Sequence, residues 1–532
     1  MGDGTQRREW PKVSVSSTRA RKFALALAIF AFALWQCLPL SHRTPVFGDE
    51  TLFLYRARYI EDIFHPSSPS WKSNWFILDQ PPGIGYAFGL GLLIQGEDPV
   101  NAAPGSWDWA HDLAWNIANG NAPRPDALDA GRNTNVVLAG LTLVLLYLLV
   151  SWLVTDVAGV IAAVVFGLNP MFQRSASVAT GDILGLFAVM LGALAVAWLA
   201  DRPSYRRMML TGVILGFGGV ARLTPLLMAV ALAALGGVLL LAGPYPWRTV
   251  LQGARNRVEA SGWRRPDWRL ALMAGVIVGL GASGAIAINP LLVCLLVVGC
   301  LASLFANATL IAGLVARPTF SKAFGGSSGK WLLPLPVVAW IVFVGANPFL
   351  WSSPLSRTQQ LFTERVASMD RAATGYPGQA INGYGNAIAR VWQTYVTDNW
   401  ATASRIHAGF GWLDLLVGLI GVGIVVSGIW RKGLASPLAL ASVFIFSQTL
   451  TATFGIHVYW NRYHLYVLLV TSICAGVCGA AAWSLMTSSL HEGRVIRGRG
   501  RLLARFAPAP MQPLQFVDTG KTEREASQKV QH

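Results

Sequence analysis

The residues best suited to chemistry are carboxylates and arginines gathered at the ends of apolar runs. Asp49 and Glu50 stand side by side just after the run Phe23–Leu40. Adjacent carboxylates at a membrane surface are costly to desolvate and tend to mark function; the plain alternative is a solvated turn. Tyr55, Arg56 and Arg58 follow, then Asp79-Gln80-Pro81-Pro82. Asn169-Pro170, Arg174 and Thr180-Gly181-Asp182 open a later apolar run, Arg222 closes another, and His457 and Trp460-Asn461-Arg462-Tyr463 precede the last. Carboxylates accept protons, and a guanidinium can grip an anion through paired N–H donors. Structural roles stand beside these: Asp182 as a helix cap, Arg174 and Arg462 as snorkelling anchors, His457, Tyr459 and Trp460 as an aromatic belt.

Apolar helices must position these groups. The chain has 532 residues, 53% hydrophobic and only 13% charged, where soluble domains run near ~25% charged. Such a chain cannot coat itself for water, and an all-α polytopic membrane protein is the class that fits. Spans are predicted near 23–40, 134–155, 157–173, 183–200, 207–223, 225–243, 271–288, 290–316, 331–350, 411–430, 436–456 and 465–486, about twelve in all by the ~20 residues a crossing needs. Cys37, Cys294, Cys300, Cys474 and Cys478 lie inside these runs and read as small packing residues.

The net charge of +16 is spread over the head, the tail and short loops, as the positive-inside rule requires, and not over a nucleic-acid-binding face. Residues 1–22 form a basic cytoplasmic head, 23–486 the membrane domain, and 487–532 a basic, disordered cytoplasmic tail. The first apolar run lacks a following small-residue cleavage site and reads as an anchor. Two long segments then fall outside, 41–133 and 351–410. The first holds eleven acids against six bases, and loops of this length are usually functional. Within it, Leu52, Phe53, Tyr59, Ile60, Ile63 and Phe64 predict one amphipathic helix in the membrane interface, and Ile84–Ile94 is too short to cross.

The order of these motifs resembles the GT-C superfamily of integral-membrane glycosyltransferases, above all the branch of protein O-mannosyltransferases and lipid A aminoarabinose transferases. Asp49-Glu50 is similar to that branch's acidic pair after the first span, and Asp79-Gln80-Pro81-Pro82 to its acidic-Lys-Pro-Pro element. Asn169-Pro170 with Arg174 and Asp182 resembles its Pro…Arg…Asp stretch, Gly212–Thr224 its Gly-rich span, and Arg462-Tyr463 its Arg-Tyr motif. Gln80 departs from the usual Lys, removing a cation, and Arg222 replaces another Lys with a forked one.

The resemblance implies a GT-C-like bundle whose long extracytoplasmic first loop carries interfacial helices. It implies transfer of a sugar from a polyprenyl-phosphate donor to an acceptor hydroxyl at the extracytoplasmic face of the cell membrane. Asp49 is then the base, with Glu50 orienting it or acting on it as a like charge. Arg56, Arg58, Arg174, Arg222 and Arg462, with Tyr463, are candidates to bind the leaving phosphate; Gln80 is a substrate-binding candidate on that phosphate side, and Asp79 and Asp182 are candidates to bind the sugar. The resemblance fixes no cofactor, and Asp79 with His457 could hold a divalent ion. The partners are membrane lipids, the donor and the acceptor. A secondary transporter or flippase is the rival reading, since spans of this number suit it too.

Overall fold

The computed structural model describes residues 15–72, 75–241, 329–396, 398 and 411–492. Predicted spans 271–288 and 290–316, Cys294, Cys300, the basic stretch 248–269, Arg317 and Lys322, and the tail from 493 lie outside the described residues, as does the head before residue 15. The unit that runs to Ala481 is compact, and a second unit begins at Ala482.

Every regular element among the described residues is helical; the β component is an isolated bridge between Ala380 and Val458. Ten predicted spans correspond to helices. They are α1 (Val15–Ser41), α7 (Pro125–Leu153), the pair α8 (Asp156–Gly167) and α9 (Pro170–Ala176), α10 (Asp182–Asp201), α11 (Tyr205–Ala221), α12 (Thr224–Leu241), the pair α13 (Gly329–Leu332) and α14 (Leu335–Gly345), α17 (Gly411–Lys432), α18 (Pro437–Phe454) and α19 (Leu465–Glu492). Six described helices are long and apolar enough to cross a bilayer, or seven if α8 and α9, bent by 70°, form one span. The chain is thus a multi-pass helical membrane protein.

Local sequence explains many boundaries. Thr155, Asn169, Ser204 and Ser436 each accept a backbone N–H of the helix that follows, and Pro170 and Pro437 occupy first-turn positions where no amide hydrogen is needed. Asp182 is not a cap: it is the first residue of α10, behind Gly181, and makes no capping bond.

Alternating helix directions sort the ends of the spans. Arg21 pairs with Asp156 at 2.6 Å where α1 begins and α8 starts. At the opposite end the segment that follows α1 meets the start of α19 through Asp49 and Arg462, and the C-terminus of α11 meets the N-terminus of α10 through Arg222 and Asp182. The motif residues therefore converge at one end of the bundle.

The predicted amphipathic helix after Asp49 is not continuous. It breaks into α2 (Gly48–Tyr55), a 3₁₀ turn at Arg56–Arg58 and α3 (Tyr59–Asp62). Glu50, Thr51, Leu54, Arg56, Ala57 and Tyr59 are buried in the protein. What covers the turn is α5 (Gly83–Ile94), wedged against it and against α7. The fit depends on glycine: a Cβ at Gly85 would lie 2.1 Å from the Arg56 carbonyl oxygen. Between them, α4 (Trp75–Asp79) ends on the Pro-Pro element, and α6 (Leu113–Ala118) precedes α7. Gly85→Ala should cost about 1–3 kcal/mol by overpacking and displace Arg56. Thermal unfolding of the purified protein in detergent checks this; an unchanged transition would mean that α5 and the turn slide apart freely.

Candidate active site

A cavity of about 740 Å³ opens where the helix ends converge. Asp49 on the first turn of α2 faces it, because the chain leaves α1 at Ser41 and turns through Thr44–Phe47 before α2 starts. Its Oδ2 accepts a bond from Arg462 Nη1 at 2.6 Å. Arg462 stands in a 3₁₀ turn, Asn461–His464, that leads into α19, and its Nε lies 3.7 Å from Asp182. Asp182 also meets Arg222 Nη1 at 3.5 Å and accepts from Thr180 Oγ1 at 3.3 Å. Arg222, the residue that ends α11, reaches the Tyr466 hydroxyl at 3.4 Å. Asp49, Arg462, Asp182 and Arg222 thus form a row of alternating charge, the first three lining this cavity and Arg222 a smaller adjoining one.

Asp79 forms a second cluster. Its carboxylate accepts from Arg365 Nη1 at 2.8 Å, Ser368 Oγ at 3.1 Å and Arg56 Nη2 at 3.2 Å. Burial pushes its pKa up, but the Arg365 and Arg56 guanidiniums outweigh that and hold it below the ordinary carboxylate value. Arg365 also donates to the Tyr463 hydroxyl at 3.4 Å. Gln80 lines the same wall and a smaller adjoining cavity that Arg222, Arg365 and Tyr463 share. Arg365 was not among the sequence candidates. It lies on α15 (Pro354–Gly375), whose Arg365, Met369 and Ala372 face the cavity at intervals of four and three residues, with Tyr376 just past its end. That periodicity is the signal that could have revealed it.

Other candidates sit elsewhere. Glu50 does not line the cavity. It is fully buried, and its two oxygens accept from Arg132 Nε and Nη2 at 2.8 and 2.7 Å. It also accepts from the backbone N–H of Ala179 at 2.7 Å and of Phe47 at 2.9 Å. Arg132 spends its remaining donors on the carbonyls of Ser41, Thr44 and Pro45. This second residue that the sequence did not single out ties the segment carrying Asp49 to the one carrying Asp182. Arg58 also points away: it donates to the Tyr55 and Val100 carbonyls and covers the Tyr55 ring. Arg174 does line the cavity.

Asp79 and His457, the pair considered for a divalent ion, both line the smaller cavity. Three donors engage Asp79, and His457 Nδ1 lies 2.5 Å from Asp370. Among the described residues no group of three or more His, Cys, Asp or Glu side chains is placed to hold a metal. Tyr459 donates to Asp398 at 2.6 Å; burial first, then that bond, raises its hydroxyl well above the ordinary tyrosine value, so it remains a donor at the cavity wall.

Residues 113–253 match the family model for dolichyl-phosphate-mannose-protein mannosyltransferase. No curated protein sequence matches the chain. Among solved structures, the oligosaccharyltransferase of Archaeoglobus fulgidus, in complex with Zn and sulfate, is 13% identical with a TM-score of 0.40, covering 88% of this chain and 50% of that one. The chain thus spans about half the length of that protein. ArnT from Cupriavidus metallidurans, bound to undecaprenyl phosphate, is 14% identical with a TM-score of 0.26, covering 88% of this chain and 79% of that one. The stretch matched by the family model carries Arg132, Arg174, Asp182 and Arg222, and with it the resemblance drawn from the motifs holds: the chain is similar to the integral-membrane glycosyltransferases of the protein mannosyltransferase type.

Proposed function

We propose that the chain transfers a sugar from a polyprenyl-phosphate donor to an acceptor hydroxyl, at the extracytoplasmic face of the cell membrane and with both termini cytoplasmic. The observation that carries this reading is the contact of Arg462 with Asp49 and Asp182 in one cavity at the helix ends. A donor phosphate entering beside Arg462 competes with Asp49 for the guanidinium. Asp49 is then released to take the proton of the acceptor hydroxyl. The acceptor oxygen bonds to the anomeric carbon, the bond from that carbon to the phosphate oxygen breaks, and the lipid phosphate leaves with the electron pair. Arg462, Arg222 and Arg365 are the cations that meet its charge; Arg365 stands beside Gln80, where the relatives' usual Lys is missing. Asp79 orients the sugar or Arg365, and Glu50 braces Asp49 from behind without meeting the substrate.

The rival reading, a transporter or flippase, would concentrate ionisable residues near mid-span; here they collect at the helix ends. The deciding experiment isolates the lipid-linked sugar that accumulates when the gene is deleted and presents it to the purified protein in liposomes. Sugar transfer to an acceptor supports the enzyme; release of intact donor or solute across the bilayer supports the transporter.

Two further expectations belong here. Single cysteines replacing Ser106 and Gln379, both exposed, should be labelled from outside the cell by an impermeant maleimide in a Cys-depleted background. Protection of both would put the cavity on the wrong face. Arg462→Ala should lose about 1.5–3 kcal/mol of charge-assisted bonding, roughly tenfold to a hundredfold in transfer, and Arg462→Lys less. Gln80→Lys should restore part of the loss in Arg462→Ala. Unchanged donor turnover in Arg462→Ala would leave that arginine an interfacial anchor.

A further inference from the structure

The helix α16 (Gly383–Val396) is built inside out for a segment in water. Its exposed face holds Tyr384, Gly385, Ile388, Ala389 and Trp392, with Tyr384 at 55%, Ile388 at 59% and Trp392 at 53% exposure and no charge among them. Its polar side chains turn inward. Arg390 donates to the Gly378 carbonyl and to Gln393 Oε1, each at 2.9 Å, and lies over the Tyr459 ring. Thr394 bonds the Tyr459 hydroxyl at 3.2 Å and His464 Nδ1, and Tyr395 bonds Thr471. A water-facing amphipathic helix shows the reverse arrangement.

The surroundings say what covers the apolar face. The Tyr384 ring packs on Phe454, the last residue of α18. Thr471, met by Tyr395, lies six residues into α19, roughly 9 Å beyond its start at 1.5 Å per residue. The helix therefore rests against α17, the end of α18 and the first turns of α19. Its 14 residues reach only about 21 Å, short of the ~30 Å core. Tyr and Trp are the side chains that favour that boundary, with an apolar body and a polar tip.

We infer that α16 is a lipid-binding interfacial helix, with its Tyr384–Ile388–Trp392 stripe seated among phospholipid head groups at the cavity end of the bundle. It does not depend on the proposed reaction. Its consequence for the cavity is mechanical. Immediately before α16, Gln379 and Ile381 bond to the backbone of Tyr459 and His457 at 2.7 and 2.8 Å, and Tyr376 and Gln379 line the cavity wall. Lipid contact at α16 thus fixes one wall of the site.

The test places a nitrobenzoxadiazole fluorophore on Ile388→Cys or Trp392→Cys in the full-length, otherwise Cys-depleted protein, reconstituted in phosphatidylcholine vesicles. Trp35→Cys on α1, where Trp35 is exposed, reports a residue inside a span. The labels on α16 should lose more emission to phosphatidylcholine carrying a doxyl group at acyl carbon 5 than at carbon 12, with aqueous iodide weak at both. Stronger quenching by carbon 12 would make α16 part of a span and overturn the proposal. Strong iodide quenching would put the stripe in water, and loss to none of the quenchers would mean that protein covers it; either result overturns it too.

Discussion

Asp49→Asn is expected to lower sugar transfer by at least the ~10²-fold typical of general-base loss, with the protein still folded. The amide keeps the size of the carboxylate and can still accept a bond from Arg462, but it cannot accept the acceptor's proton. The structure adds a second expectation. Asp49 and Arg462 are in contact at 2.6 Å, so removing the negative charge removes a competitor for the donor phosphate. The Michaelis constant for the donor should stay level or fall while the turnover number collapses. Steady-state kinetics with saturating acceptor separate the two quantities. Near-wild-type turnover in a folded Asp49→Asn protein would take Asp49 out of the reaction. A normal turnover number with a raised donor constant would make it a binding group only.

Glu50→Ala is expected to damage the fold rather than the chemistry. Glu50 is 0% exposed and Arg132 4%, and each holds the other through two bonds. Removing one partner leaves an uncompensated charge in the interior, which costs about 3–5 kcal/mol. The lost acceptor also frees the Ala179 and Phe47 amides, loosening both segments that carry cavity acids. Thermal unfolding in detergent should show a large drop for Glu50→Ala and for Arg132→Ala. The double change Glu50→Gln with Arg132→Met, which removes both charges at similar volume, should recover part of it. If Glu50→Gln alone unfolds like the wild type yet transfers no sugar, Glu50 acts in the reaction and its role as a brace is wrong.

The two acids of one dipeptide thus have different fates, for a reason that their adjacency hides. Successive side chains on a helix point about 100° apart, so Asp49 and Glu50 cannot both face one cavity. The first meets Arg462 and the second turns to the interior. The sequence had no means of saying which would do which, since both fit a membrane-surface carboxylate.

Much else was legible in the residues themselves. Span positions follow from runs of apolar side chains, because a bilayer demands length and uniform apolarity within a continuous segment. Helix starts follow from Thr155, Asn169, Ser204 and Ser436, because a cap is a bond between neighbours. Asp49, Asp182, Arg222 and Arg462 are legible through their resemblance to the family's motifs, and alternating spans bring every second end to one side. Tertiary structure alone decided the pairing of Glu50 with Arg132, 82 residues apart, and of Asp79 with Arg365, 286 apart. It also broke the helix expected after Asp49, because α5 packs on the Arg56–Arg58 turn with glycines where side chains would collide. Composition and periodicity report on neighbours in the chain, whereas a buried ion pair forms between whichever charges the packing of distant helices leaves facing each other.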